Sequence, residues 1–419
     1  MTIQRVQWKR PREIERIQED KLARLIRHAW DKVPYYRELM AGAGLKPEDI
    51  RSRDDLRTVP VTTKRTLQDI ALNDKISNGT DISRCRVSYT SGTTGTPLKI
   101  YAAAGDATRM NLSWGRAYIA NGLKPWYKIA AFLGQPETVR RKPWYEHFRI
   151  WQRHEISAWK DPHDWIKDIR QYKPDVLVGY VMTLKLLAEA IQAEGVHDIR
   201  PKLIFHSSAL LDDSSRKFLK SVFQAPVIDF YGADEAGCIA WECPRCSSYH
   251  INSDLVLVET QKSGTAAQPG EAGEILITNL QSYAMPFIRY ALGDVGVLSP
   301  ETPLCGRGLP LMEKIQGRTD DFIILANGRK ISPHPIYHCF DPVPGIQRWR
   351  IVQKDVRHLV AEVQPGPSFS PETMPLAMES LRRLFKGDIE IAIRTVASIE
   401  ISPRSKFRAV QSEIGKGPS

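Results

Sequence analysis

The sequence predicts an α/β protein in two parts: a large N-terminal domain of parallel and mixed sheets with flanking helices, and a small α+β domain after it. Three observations lead there. Short apolar runs alternate with helical stretches between Trp165 and Phe230; two longer strand patterns follow at Leu255–Glu259 and Gly273–Thr278; and the pattern restarts after Arg318. Alternation of this kind argues for parallel strands covered by helices. A chain of 419 residues also exceeds what one ordinary core accommodates.

The opening reads as helix, because Leu22, Leu25, Ile26, Ala29 and Val33 recur at helical spacing with charged residues between them. Pro34 is expected to end it, with Tyr35-Tyr36 beyond. A turn at Pro60–Lys64 precedes a short helix from Arg65. Val176–Tyr180, Leu203–Phe205 and Val227–Phe230 are short buried-strand candidates, separated by helical patterns at Leu184–Ala193 and Ser214–Phe223. After a linker candidate at Gly317-Arg318-Thr319-Asp320-Asp321, the order is strand, strand, helix, strand: Trp349–Val352, His358–Val363, Pro371–Phe385 and Ile389–Val396. That order suits a ferredoxin-like domain over 319–419, leaving 1–318 as the larger one.

Apolar residues make up 42% and charged residues 26%, an ordinary balance for a globular protein. The net charge is +11, but bases and acids interleave and no basic tract with aromatics stands out, so no nucleic-acid partner is expected. No apolar run has membrane-spanning length and Met1–Arg10 carries no apolar signal core, so the expected location is cytoplasmic, without a membrane partner. The 6 cysteines are not read as a disulfide framework in such a chain.

Tyr89-Thr90-Ser91-Gly92-Thr93-Thr94-Gly95-Thr96-Pro97-Leu98-Lys99 is the most informative segment. Consecutive hydroxyl residues and glycines build no core. They suit a loop whose hydroxyls and backbone N–H groups wrap phosphate oxygens, with Lys99 adding positive charge. The G-x-x-x-x-G-K-[ST] order of the other common phosphate loop is absent.

Ser-Gly-Thr-Thr-Gly followed by Pro and Lys resembles the phosphate loop of the adenylate-forming superfamily of acyl-CoA synthetases, adenylation domains and luciferases. Further motifs follow in that family's order. Tyr231-Gly232-Ala233-Asp234-Glu235 resembles its Tyr-Gly-x-Thr-Glu motif, and Arg289-Tyr290-Ala291-Leu292-Gly293-Asp294 its Tyr-x-Thr-Gly-Asp motif. Gly317–Asp321 with Gly328 resembles its hinge, and Pro403-Arg404-Ser405-Lys406-Phe407-Arg408 the segment bearing its catalytic lysine. Val33–Arg37, Leu56–Lys64 and Lys173–Tyr180 look like the phenylacetate–CoA ligase-like branch.

The resemblance implies an AMP-forming acid–thiol ligase. It would activate a carboxylic acid, by branch an aromatic one, as acyl-adenylate with release of pyrophosphate, then transfer the acyl group to coenzyme A. Two alternatives stay open: transfer to an amine or a carrier-protein thiol, and a degenerate nucleotide-binding homologue without turnover. Ser91, Gly92, Thr93, Thr94, Gly95, Thr96 and Lys99 would hold the ATP phosphates. Glu235 would ligate Mg²⁺, Tyr231 would lie against the adenine ring, Asp294 would accept from the ribose hydroxyls, and Arg318 would sit near ribose and α-phosphate, with Gly232, Asp234 and Glu235 also counted among the ATP-binding residues. Lys406, Glu235 and Thr94 are the candidate catalytic residues. The small domain would be mobile about Asp320 or its neighbour, and a homodimer is a family expectation. Asp234 and Leu292 stand where the family usually has Thr or Ser, and Ser405 where Gly often precedes the lysine.

Cys238, Cys243, Cys246 and His250 are spaced C-x₄-C-x₂-C-x₃-H, with Cys305-Gly306-Arg307 downstream. Thiolate and imidazole ligands at such spacing fit structural Zn²⁺. Cys243, Cys246, His250 and Cys305 are the preferred ligands and Cys238 the alternative. Aromatic residues between Trp126 and Trp165, with Tyr180 and His206, are candidates for lining a planar-acid pocket.

Overall fold

The structure, a computed structural model, describes residues 3–90, 98–133, 143–158, 160–207, 209–246, 248–318, 322–331, 333–340, 343–400 and 408–414. The chain forms two compact units, one of Met1–Lys124 with Ile228–Ile315 and one of Pro125–Val227 with Gln316–Ser419.

The first unit opens with the helix Pro11–Lys32, whose buried residues Ile14, Leu22, Leu25, Ile26 and Ala29 form the expected stripe. Val33 is extended (φ −120°, ψ 103°), as a residue before proline tends to be, and Pro34 then starts a second helix, Pro34–Gly42. Pro34 is thus a first-turn residue, and Tyr35 and Tyr36 are helical where a turn was expected. The Pro60–Lys64 passage docks on a strand edge: Thr62 N–H donates to Arg289 O at 3.0 Å, and Thr62 O accepts from Ala291 N–H at 2.9 Å. The Thr63 hydroxyl then caps the short helix Lys64–Asp69 by accepting from Thr66 N–H.

The sheet of this unit is largely antiparallel. Val256–Lys262 pairs with Ala272–Asn279, which pairs with Tyr290–Leu298. Val227–Ala233 pairs with Gly237–Glu242, which pairs with Tyr249–Ile251. The helix Ala104–Ala120 is anchored from below by a fully buried ion pair. Arg116 donates from both terminal nitrogens to Asp254, at 2.6 and 2.8 Å, and also to Asn252 Oδ1 at 3.0 Å. A buried charge needs this degree of compensation, so removing either partner is costly.

In the second unit Arg153–Ser157, Ile129–Leu133, Val176–Gly179 and Leu203–Ser207 run parallel in that order. Helices Pro162–Tyr172, Val181–Ala193 and Asp213–Phe223 supply Trp165, Ile169, Leu184, Leu187, Leu219 and Phe223 to its core. The alternation was readable; Ile129–Leu133 and Arg153–Ser157 were missed, the second because it is largely polar. The C-terminal part of this unit builds a separate core on four strands in the order Glu390–Thr395, His358–Pro365, Ile346–Gln353, Val410–Ser412. Both outer pairings are parallel and the central one antiparallel. Helices Pro333–Phe340 and Thr373–Phe385 cover it, with the Phe340 ring stacked on Trp349 at 4.2 Å. The α/β class with a large mixed sheet and flanking helices is as expected. No described helix is long and apolar enough to cross a membrane.

Candidate functional site

Strands Arg86–Tyr89 and Lys99–Ala102 form an antiparallel hairpin that closes with Tyr89 opposite Lys99. Thr90 N–H donates to Leu98 O at 3.0 Å, and Leu98 N–H donates to the Thr90 hydroxyl at 2.9 Å. The phosphate-loop candidates Ser91, Gly92, Thr93, Thr94, Gly95 and Thr96 connect these strands and lie outside the described residues. Lys99 is exposed, with Nζ 5.1 Å from the centre of the Tyr101 ring.

Leu98, Ile100 and Tyr101 of that hairpin share one hydrophobic core with Tyr231 and Ala236 and with Tyr290 and Leu292. Three motifs far apart in sequence therefore rest on common packing. Tyr231 and Asp294 meet directly: the tyrosine hydroxyl donates to Asp294 Oδ2 at 2.8 Å.

Local backbone irregularities set up this meeting. Pairing of Val227–Ala233 with Gly237–Glu242 shifts register between Tyr231 and Gly232. The strand Tyr290–Leu298 shifts where Ile275 alone faces Leu292, Gly293 and Asp294, and Gly293 takes φ 75° there. Such bulges re-aim side chains, and glycine permits the turn. Gly232 is required for space, since a Cβ there would lie 2.6 Å from the Trp114 ring and 2.7 Å from Gly237 O. Asp234, Glu235 and Ala236 form the tight connection to the next strand, closed by Ala236 N–H to Ala233 O at 3.1 Å and by Gly237 at φ 76°.

Glu235 is buried, and its carboxyl is pushed up to about 7 by burial, with the Asp234 and Asp294 charges adding to the rise. A hydrogen bond with Tyr290 opposes it. The Glu235 carbonyl is fixed by Asn279 Nδ2 at 2.8 Å. Three acids with one forced toward neutrality form a place where a hard divalent cation would be favoured, since it offsets the repulsion and suits carboxylate oxygen. Leu292 is buried in the shared core, so the position that carries Thr in the resembling motif is here a packing position. Arg318 ends the strand Leu311–Arg318, and its side chain is outside the described set. Thr319, Asp320, Asp321 and Lys406 also lie outside it.

The second constellation is the Cys/His group. Cys243, His250 and Cys305 are buried, with their ligand atoms all within 4.8 Å of one another. Cys305 Sγ lies 3.2 Å from His250 Nε2. Cys246 neighbours Cys243 across a tight turn, its N–H 3.4 Å from Cys243 O, and the two thiols interact. Cys238 is elsewhere: it is fully buried, with Sγ 3.5 Å from Ala240 O. Burial and the Arg307 charge hold His250 neutral, down to about 4. Burial pushes the Cys243 thiol up to about 11. Burial also pushes Cys305 up, but hydrogen bonds from Arg307 outweigh it and leave that thiol below its usual value. Neutral imidazole plus clustered sulfur is the donor set of a closed tetrahedral zinc site. In such a site adjacent ligand atoms sit roughly 3.5–4 Å apart. The residues fit zinc.

Of the aromatic residues expected at a planar-acid pocket, Trp144, Tyr145, Phe148 and Trp151 form one cluster, with ring centres 6.0 Å (Trp144–Tyr145), 6.2 Å (Trp144–Phe148) and 6.2 Å (Tyr145–Trp151) apart. Trp126, Trp144 and Phe148 are 66%, 72% and 71% exposed, while Trp165 is in the parallel-sheet core against Phe132. Sequence reading also missed the role of Tyr290, whose hydrogen bond to Glu235 was signalled only by its place in the Asp294 motif.

No family model matches the chain. Among solved structures, 2-hydroxyisobutyryl-CoA ligase in its postadenylation state superposes with a TM-score of 0.82 at 20% identity, over 98% of this chain and 92% of that one. The fold is that of this acyl-CoA ligase structure. Curated relatives narrow this further. Phenylacetate-coenzyme A ligase of Aromatoleum evansii is 24% identical over 426 residues, covering 96% of this chain and 93% of its own. The Escherichia coli (strain K12) phenylacetate-coenzyme A ligase is 27% identical over 325 residues, 75% and 73% of the two chains. The chain thus shares its fold with an acyl-CoA ligase and is similar in sequence, nearly end to end, to phenylacetate-coenzyme A ligase.

Proposed function

We propose that this chain uses ATP to convert a carboxylic acid, an aromatic one, to its acyl-adenylate, and then passes the acyl group to coenzyme A. The observation that carries the reading is the Tyr231–Asp294 hydrogen bond with Glu235 beside it, on the core that also seats the phosphate-loop hairpin. A free carboxylate is a poor electrophile, and activation as a mixed anhydride with AMP supplies a good leaving group. The obstacle is charge, because two anions must approach in line. Lys99 and the loop 91–97 would bind the β- and γ-phosphates. Asp294, oriented by the Tyr231 hydroxyl, would accept from the ribose hydroxyls. Glu235, with Asp234 near, would hold Mg²⁺, which when bound neutralises the phosphate charge that the acid must meet. Lys406 would bridge the acid and the α-phosphate, carried by a mobile segment 319–419 that turns about Asp320. Cys243, Cys246, His250 and Cys305 would hold structural Zn²⁺, which cross-links the loops after two strands and leaves no open position.

The test is acid-dependent release of pyrophosphate with ATP and Mg²⁺, over a panel of aryl and aliphatic acids, with and without coenzyme A. Release driven by an aryl acid, with thioester formed on adding coenzyme A, is the expected outcome. Release that ignores coenzyme A would assign an amine or carrier-protein acceptor. ATP binding with no release across the panel would overturn the reading.

A further inference from the structure

A cavity of about 480 Å³ opens on the first unit, away from both constellations in sequence and lined by Ala23, Arg24, Arg27, His28, Pro47, Glu48 and Arg51. Its charge is lopsided: three arginines and a histidine against one glutamate. Arg24, Arg27 and His28 lie at i, i+3 and i+4 of the helix Pro11–Lys32, so the two guanidinium charges share one helical face. That arrangement is mildly destabilising by itself, and packing does not require it, since the buried stripe uses Leu22, Leu25, Ile26 and Ala29.

Arg27, Arg51 and His28 are also held in place. Arg27 pairs with the Glu48 carboxylate, and Arg51 Nε donates to Glu48 O at 2.9 Å. His28 Nε2 is fixed between the Ser77 hydroxyl at 2.8 Å and Tyr283 O at 2.9 Å. Glu48 thus spends its carboxylate on one arginine and its carbonyl on another, and leaves the terminal nitrogens of Arg51 and the whole Arg24 fork without a carboxylate of their own in this cavity. Guanidinium forks anchored on one edge are suited to bidentate capture of a tetrahedral oxyanion, at low cost in side-chain entropy. Ala23 and Pro47 give the cavity an apolar wall, and its volume lies in the range of small-molecule sites.

We infer that this cavity is a binding site for a phosphate-bearing anion, held by Arg24, Arg27 and Arg51 with His28 at its edge. Two sources share that chemistry: free pyrophosphate and a nucleoside phosphate monoester. The inference does not depend on the reaction proposed above, because a chain that fails to adenylate would still bind the anion here.

The experiment is isothermal titration of the full chain with pyrophosphate and, separately, with 3′,5′-ADP, without ATP or Mg²⁺, in wild type and in variants of the cavity alone, so that binding at the adenylation site is a baseline common to all of them. One further site is expected for at least one probe. In the Arg24→Ser/Arg51→Ser double variant its affinity falls roughly 10- to 100-fold, as for two lost charge-assisted contacts. Both residues are exposed, so the variant is expected to fold and to keep its acid-dependent pyrophosphate release. The Arg24→Lys/Arg51→Lys variant keeps the charge, loses the fork, and is expected to bind with intermediate affinity. Binding of 3′,5′-ADP alone identifies the monoester as the source, and of pyrophosphate alone the free anion. No binding by either probe to the wild-type chain, or equal binding by wild type and the serine variant, overturns the inference.

Discussion

Two buried polar constellations stand on strands of the same unit, and they solve the problem of burial in opposite ways. Around Glu235 the groups are acids, Asp234 and Asp294, and their repulsion adds to burial in holding the Glu235 carboxyl up to about 7. Around His250 the groups are thiols and an imidazole, which bury neutral at little cost, and burial there pushes Cys243 up to about 11 and His250 down to about 4. The first arrangement is uncomfortable until a cation arrives, which suits a site that fills and empties during turnover. The second is tolerable empty and is strongly favoured once thiolates meet a soft-ligand metal, which suits permanent occupancy.

The sharpest way to break the comparison is Glu235→Gln. Without the carboxylate, acid-dependent pyrophosphate release is expected to fall roughly 10²–10³-fold, the usual scale for losing one electrostatic stabiliser. Stability should move the other way. The folded-state value of about 7 lies above the ordinary 4.5, so between those values the native chain keeps a proton that the unfolded chain has lost. Wild-type stability therefore falls as pH rises from about 4.5 to about 7, by on the order of 3 kcal/mol in the absence of cation. Glu235→Gln removes this slope, so urea midpoints of the two proteins should diverge across that window and converge again when Mg²⁺ is added. A wild-type midpoint that stays level with pH would show that Glu235 ionises without strain.

The thiol constellation should give the next largest effect, and in stability rather than catalysis. Metal analysis is expected to find about one zinc per chain. Cys305→Ser or exhaustive chelation should lower Tm by roughly 5–10 °C while ATP binding persists. A Tm indifferent to chelator would leave these thiols as plain core residues.

The difference between the two constellations also governed how legible each was. The Cys/His group could be read from spacing, because Cys-x₂-Cys followed by His places ligands within one turn and one strand step. Only geometry separated Cys238, within the strand Gly237–Glu242, from Cys243 just beyond its end. The acid constellation was legible as motifs, but its wiring was not. The bulges at Tyr231–Gly232 and Leu292–Asp294 bring the two motifs into contact, and a lone glycine in each strand pattern, Gly232 and Gly293, was their local trace. The parallel strands Val176–Gly179 and Leu203–Ser207 were visible as apolar runs, whereas Arg153–Ser157 is too polar to announce itself. In the small domain the sequence order of strands was readable, but Val410–Ser412, only three residues long, was not.

Tyr231→Phe tests that wiring at smaller scale. It deletes the 2.8 Å bond to Asp294 and leaves the ring, so the KM for ATP should rise roughly 5- to 20-fold, with kcat nearly unchanged. Combined with Asp294→Asn, the loss should be less than the product of the single losses, because both variants remove one interaction. Full additivity would mean that the two residues act separately on the nucleotide.

The smallest effect is expected at Asp234, and its sign is what matters. Asp234 is among the groups that raise Glu235, so Asp234→Thr should bring the Glu235 carboxyl down toward its ordinary range. More of Glu235 is then ionised at neutral pH, and adenylation is expected to be retained or raised by up to about 3-fold, with the acid limb of its pH profile moved to lower pH. If activity instead collapses, repulsion is not what Asp234 contributes. The two neighbouring carboxylates would then share the cation, and the departure from the family's usual Thr would be a device for binding it more tightly.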